Sequence, residues 1–244
     1  MKKTVPLVLL SLLVIGITGC DSSSDSATSS NSSSNSSTTS GASSSGTFTD
    51  SRDGQVYKYV KIGTQTWMAQ NLNYQVDSSW CYDDSAANCS TYGRLYQWAA
   101  AMAIDTSYNR AFWKGADSAQ HQGICPSGWH IPNDTEWGVL LAKVGADSAR
   151  IKLSSTNGWD NSRNGTNADS FSVLPAGYRF DDGTFYNVGK YAYFWSSSEY
   201  DVSDTIGYSE CGAWSRRFNK DYTNVIKYGT SKGESFSLRC LKDN

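Results

Sequence analysis

Trp129-His130-Ile131-Pro132-Asn133-Asp134-Thr135-Glu136-Trp137 is the stretch whose reading decides the fold class. Asn133 stands where a helix cap belongs, and Glu136 follows at the capping-box spacing, with Asn in the usual Ser/Thr place. Trp137, Leu140, Leu141 and Val144 then share one helical face, and Gly145 suits the C-terminal cap. The pattern predicts an amphipathic helix between Asn133 and Gly145. Capping accounts for Glu136 without a catalytic role, and His130, wedged between Trp129 and Ile131, reads as structural.

Working outward, the chain changes period. Upstream, Leu95, Trp98, Ala99 and Met102 recur at helical spacing and predict a second helix over Tyr92–Ile104. Further back, Gln55–Ile62 and Gln65–Ala69 are rich in β-branched and aromatic residues around Gly63-Thr64, which predicts a hairpin. Downstream, candidate strands are Phe171–Arg179, Thr184–Asn187, Ala192–Ser197, Gly212–Asn219, Tyr222–Lys227 and Ser235–Leu241, with turns at Asp182-Gly183 and Lys220-Asp221. Early helices and a β-rich second half predict an α+β fold with a twisted antiparallel sheet.

The N-terminus has a different character. Lys2 and Lys3 precede an apolar run from Val5 to Ile17, too short to cross a bilayer and suited to a secretory signal. Ile17-Thr18-Gly19-Cys20 resembles the bacterial lipobox, which implies cleavage after residue 19 and lipidation of Cys20. From Asp21 to Gly46 nearly every residue is Ser, Thr, Asn, Gly, Ala or Asp. Such a segment has nothing to bury and reads as a disordered tether. The expected organisation is a signal over 1–19, lipidated cysteine and tether over 20–46, and one domain over 47–244. The expected location is the bacterial envelope, lipid-anchored, at the outer membrane or cell surface.

The whole-chain charge of −2 with 18% charged residues offers no basic patch for nucleic acid. Of 6 cysteines, those other than Cys20 enter an oxidising compartment, where thiols pair. Cys81 and Cys89 flank a short polar run and predict a local bridge. Cys125 and Cys240 can close a long loop. Cys211 is then left free or linked to another chain. No cysteine or histidine spacing indicates zinc.

Six blocks carry a family resemblance: Val60–Tyr74, Tyr92–Trp98, Cys125–Pro132, Leu174–Gly177, Phe194–Glu199 and Ser237–Cys240. They resemble the Fibrobacter succinogenes major paralogous (FISUMP) domain. The order of capped helix, Trp-Ser-Ser strand and terminal Arg-Cys strand is similar, more distantly, to C-type-lectin-like folds, an architecture shared by formylglycine-generating enzymes. The resemblance implies a lectin-like α+β domain with two main helices and long loops, and no defined activity.

Chemistry is sparse. There are 2 histidines, no Gly-x-Ser-x-Gly, and no cysteine pair free for formylglycine-type oxidation. No catalytic set and no resident cofactor are expected. Calcium is possible, because Trp159-Asp160-Asn161 partly echoes a lectin motif and Asp160, Asn161, Asn164, Asn167 and Asp169 cluster, but a plain polar, turn-rich loop is the favoured reading. The 9 Trp and 15 Tyr point to an aromatic core or to rings that stack on a ligand. The candidate ligand-binding rings, all in or beside loops, are Trp159, Tyr186, Tyr200, Tyr208 and Trp214. The reading is a non-catalytic, membrane-tethered binding module for polysaccharide or another envelope partner. A secreted polysaccharide-acting enzyme and a structural envelope protein are the alternatives.

Overall fold

The computed structural model describes residues 44–115, 120–201 and 211–243. Cys20, the signal, most of the tether and Tyr208 lie outside the described residues. In chain order the strands are β1 (Ser45–Thr49), β2 (Val56–Ile62), β3 (Gln65–Met68), β4 (Ser79–Trp80), β5 (Leu95–Gln97), β6 (Trp129–His130), β7 (Ala176–Arg179), β8 (Phe185–Val188), β9 (Tyr191–Asp201), β10 (Cys211–Asn219), β11 (Ile226–Ser231), β12 (Ser235–Phe236) and β13 (Leu241–Lys242). The α-helices are α1 (Ala86–Tyr92), α2 (Trp98–Met102), α3 (Asp134–Val144) and α4 (Ala149–Leu153). The fold is α+β, mostly sheet, with few and short helices.

Helix α3 starts where the sequence places it. The Asn133 side chain accepts from the Glu136 amide at 2.9 Å, and the Glu136 carboxylate accepts from the Asn133 amide at 2.9 Å. Trp137, Leu140 and Val144 point inward. The Asp134 amide donates to the Ser198 hydroxyl at 3.0 Å, and Arg216 holds the Asp134 carboxylate at 2.5 Å, which clamps this helix start onto β9 and β10. The expected hairpin is also present, pairing β2 with β3 from Tyr59–Met68 to Ile62–Gln65.

Other expectations need correction. No helix runs over Tyr92–Ile104. Leu95–Gln97 is drawn into β5, where Tyr96 pairs with Ser79 and with Phe236 from the far end of the chain. Helix α2 begins only at Trp98. The residues between Cys81 and Cys89 are not open loop but a 3-10 turn and the first turn of α1. Residues 222–225 form no strand but pass through a bend at 223–224, and the strand predicted there runs later, over β11.

In place of one antiparallel sheet there are two open sheets, ordered β1-β2-β3-β13-β6 and β11-β10-β9-β7-β12-β5-β4, with β8 on β7. β7 and β9 run parallel, Gly177 beside Ala192. The reason is topological: β8 turns back along one side of β7, so the returning β9 runs in the direction of β7.

Both faces of β9 are covered, and its period of 2 divides the core. Tyr193 and Trp195 enter one buried cluster with Tyr96, Trp98, Trp129 and Phe236. Ala192 and Phe194 enter the other with Trp67, Trp137, Phe171 and Phe218. Two disulfides close the fold, Cys81–Cys89 and Cys125–Cys240. Cys211, at the start of β10, is unpaired among the described residues.

Candidate functional site

The rings chosen from sequence separate into different environments. Trp159 is not at the surface: it is 4% exposed, its indole N–H donates to the Val173 carbonyl at 3.2 Å, and the Arg150 guanidinium covers it at 4.3 Å. The loop that carries it folds inward onto the second cluster, so this ring has no free face for a ligand. Trp214 and Tyr200 pack on each other at 4.2 Å, with the Lys227 ammonium 3.8 Å over the indole. Tyr186 is 40% exposed and joins a larger array.

That array is a row across the sheet. Tyr186 on β8 pairs directly with Tyr178 on β7, and the rings stack at 5.6 Å. The parallel register of Gly177 with Ala192 sets Tyr178 beside Tyr193 of β9, ring centres 5.1 Å apart. Tyr193 pairs with Arg217 of β10, whose guanidinium lies 4.6 Å from the Tyr228 ring on β11. Phe180 and Tyr191 flank the row, at 6.4 Å from Tyr186 and 5.9 Å from Tyr193. Phe236 stacks beneath Tyr193 at 4.7 Å and ties the row to the core. With neighbouring strands about 4.8 Å apart, five strands carry the row roughly 19 Å across the sheet. Its ends are open, Tyr186 at 40% and Tyr228 at 42% exposure.

Sequence reasoning found Tyr186 and missed Tyr178, Tyr193, Arg217 and Tyr228. The period-2 pairs Tyr178/Phe180 and Tyr191/Tyr193 are visible as same-face residues, but only the strand register brings them together.

Burial shapes the electrostatics at the middle of the row. Burial pushes Tyr193 up to about 12, against the pull of Arg217 beside its hydroxyl. Burial pushes the Glu234 carboxyl up to about 7, opposed by a hydrogen bond with Thr230 and helped by nearby Asp181. The fold therefore prefers neutral Glu234. Its contribution is favourable below the ordinary carboxyl range near 4.5 and is lost as pH rises from there to about 7. Glu234→Gln should leave stability nearly unchanged at acid pH and raise it at alkaline pH by on the order of 1–3 kcal/mol. Urea unfolding on both sides of that window reads the difference; an equal effect at both pH values would contradict the assignment.

The family model for the Fibrobacter succinogenes major domain matches residues 60–242. The chain belongs to this family. No curated protein and no solved structure matches it. In this Fibrobacter succinogenes major domain the resemblance blocks contribute Trp67, Trp98, Trp195, Leu238 and Cys240 to the core, all fully buried, beside Trp137, Phe171, Phe218 and Phe236 from outside them. The members of the tyrosine row lie outside those blocks.

Two further groups in this domain are structural. Buried His130 holds Asp243 through Nδ1 at 2.6 Å and Glu136 through Nε2 at 3.0 Å. Burial alone would lower its pKa, but the two carboxylates outweigh that and raise it. The histidine thus joins the segment after β13 to the cap of α3. In the loop weighed for calcium, Asn164 accepts from the Trp159 amide at 3.1 Å and Asn167 accepts from the Ser172 amide at 2.8 Å. Among the described residues no group of three or more His, Cys, Asp and Glu side chains is placed to hold a metal ion.

Proposed function

We propose that this chain is an envelope lipoprotein, anchored through Cys20 at the outer membrane or cell surface, that presents a non-catalytic polysaccharide-binding module. The observation that carries the reading is the row Tyr186–Tyr178–Tyr193–Arg217–Tyr228, in register from β8 to β10 with Tyr228 diagonal to Arg217 on β11, buried at Tyr193 and exposed at its two end rings. Aromatic rings offer a large apolar surface with a polar handle, the combination a sugar chain needs from its partner. A row spanning several strands suits a long linear ligand better than a small molecule. On this reading the scaffold is of the lectin-like class, with capped α3, the Trp-Ser-Ser segment of β9 and the terminal Arg239-Cys240 as its shared features. The Ser-rich stretch after Cys20 supplies reach from the membrane.

A glycan array probed with the full chain tests the proposal. At least one polysaccharide should be retained, and Tyr186→Ala should weaken retention by about tenfold, comparable to losing one aromatic contact. Retention of no glycan, or equal retention by the variant, would overturn it.

A further inference from the structure

Asn157-Gly158 and Asn164-Gly165 are the two places where the chain sets glycine directly after asparagine. The pairing matters chemically. With no side chain on the second residue, its backbone nitrogen can approach the asparagine side-chain carbon, Cγ, closely. Attack there forms an N–Cγ bond, expels the side-chain nitrogen as ammonia and leaves a cyclic succinimide. Water then opens the ring, to aspartate or, with the chain continued through the side chain, to isoaspartate. Water is the sole co-reactant.

Both asparagines are exposed, so access to water does not separate the two sites. Their hydrogen bonds do. The second site is laced to the end of α4: the Gly165 amide donates to the Ser155 carbonyl at 2.8 Å, the Thr166 amide to the Ile151 carbonyl at 2.8 Å and the Asn167 amide to the Ser154 carbonyl at 3.0 Å. A Cβ added to Gly165 would collide with the Ser154 and Ile151 carbonyls, so the backbone has no room to turn there. The Asn164 side chain is tied as well, its Oδ1 accepting from the Trp159 amide at 3.1 Å. The attacking nitrogen and the group it must attack are thus both engaged. Residues 156–158 instead form an exposed bend. Among the described residues the Gly158 amide has no acceptor and the Asn157 side chain no partner; the Asn157 carbonyl alone is bonded, by the Ser155 hydroxyl at 2.6 Å. Reaction at Asn164 must first break two hydrogen bonds that reaction at Asn157 does not meet, which slows it by about tenfold or more.

We propose that Asn157 is a site of spontaneous modification, converted through a succinimide to aspartate and isoaspartate, while the fold protects Asn164. The site is independent of the tyrosine row. Asn157 lines a cleft of about 370 Å³ between the start of β2, the C-terminal end of α1 and the loop after α4, and no Asp or Glu is among the described residues lining it. The reaction therefore brings a carboxylate into a neutral and basic lining.

Incubation of the full chain in mildly alkaline buffer, followed by tryptic peptide mapping, tests the proposal. Cleavage after Arg163 puts the two asparagines in separate peptides. Asn157 should gain the mass of an amide-to-acid exchange about tenfold or more faster than Asn164. In urea the two rates should converge, because the fold no longer distinguishes the sites. Asn157→Gln, at an exposed position, should remove the acidic form that appears first on isoelectric focusing of the aged parent chain. Equal rates in the folded chain, a faster Asn164, a difference that persists in urea, or an unchanged acidic form in the variant would overturn the proposal.

Discussion

Replacing Cys125 and Cys240 together by serine should lower the stability of the domain by about 3–5 kcal/mol, the largest loss expected from any pair of small changes. The bridge joins positions 115 apart, so it removes far more freedom from the unfolded chain than the Cys81–Cys89 bridge, whose ends are 8 apart. On the loop-entropy estimate a closure near a hundred residues contributes about 4.7 kcal/mol, against about 2.5 kcal/mol for the short one. Position matters as well. Cys125 and Cys240 are fully buried within the cluster built on Trp98, Trp129 and Trp195, and β13 follows Cys240 immediately. Loss of the bridge frees the C-terminal strand that closes the first sheet between β3 and β6. Denaturant unfolding of the two double-serine variants should rank the long bridge above the short one. Equal losses would show that the C-terminal strand is held by packing alone.

Glu199→Gln should be nearly as damaging, at about 3–5 kcal/mol. Lys232 and Glu199 form an ion pair with side chains 0% and 5% exposed. The Lys232 ammonium also donates to the Ala111 carbonyl at 2.9 Å and lies 4.3 Å over the Trp98 ring. The Glu199 oxygen that takes the ammonium, Oε1, also accepts from the Trp113 amide at 2.9 Å, and Oε2 accepts from the Lys114 amide at 2.6 Å. Removing the negative charge leaves an ammonium buried without a counter-charge, which costs more than the intact pair contributes. Pairing Glu199→Gln with Lys232→Met should restore most of the stability, since the neutral amide then faces no unpaired ammonium. The double variant also loses the Lys232 bond to the Ala111 carbonyl and one of the two acceptors for the Trp113 and Lys114 amides, so those amide hydrogens should exchange faster even in the restored protein. A single variant as stable as the parent would contradict the pair's role.

The parts of this fold legible in the sequence are those set by near neighbours. The cap of α3 depends on Asn133 and Glu136 three positions apart, and the β2–β3 hairpin on alternation around Gly63-Thr64. The Cys81–Cys89 bridge is legible from its short spacing, 8 positions, whereas the Cys125–Cys240 bridge joins positions 115 apart. What stayed hidden was decided by distant partners. Leu95–Gln97 carries helical spacing, yet Ser235 and Phe236 recruit it into a strand. Trp159 sits in a polar loop, yet the loop folds over its own core. The tyrosine row hides for the same reason, because the parallel β7–β9 pairing that assembles it leaves no local mark in the sequence.

Affinity electrophoresis of the full chain through gels carrying soluble polysaccharides, beside the double variant Tyr178→Ala/Tyr186→Ala, tests the central claim most directly. The account predicts that at least one polysaccharide retards the parent chain and that the double variant migrates as in an empty gel. Equal retardation of both proteins, or of neither, would contradict it.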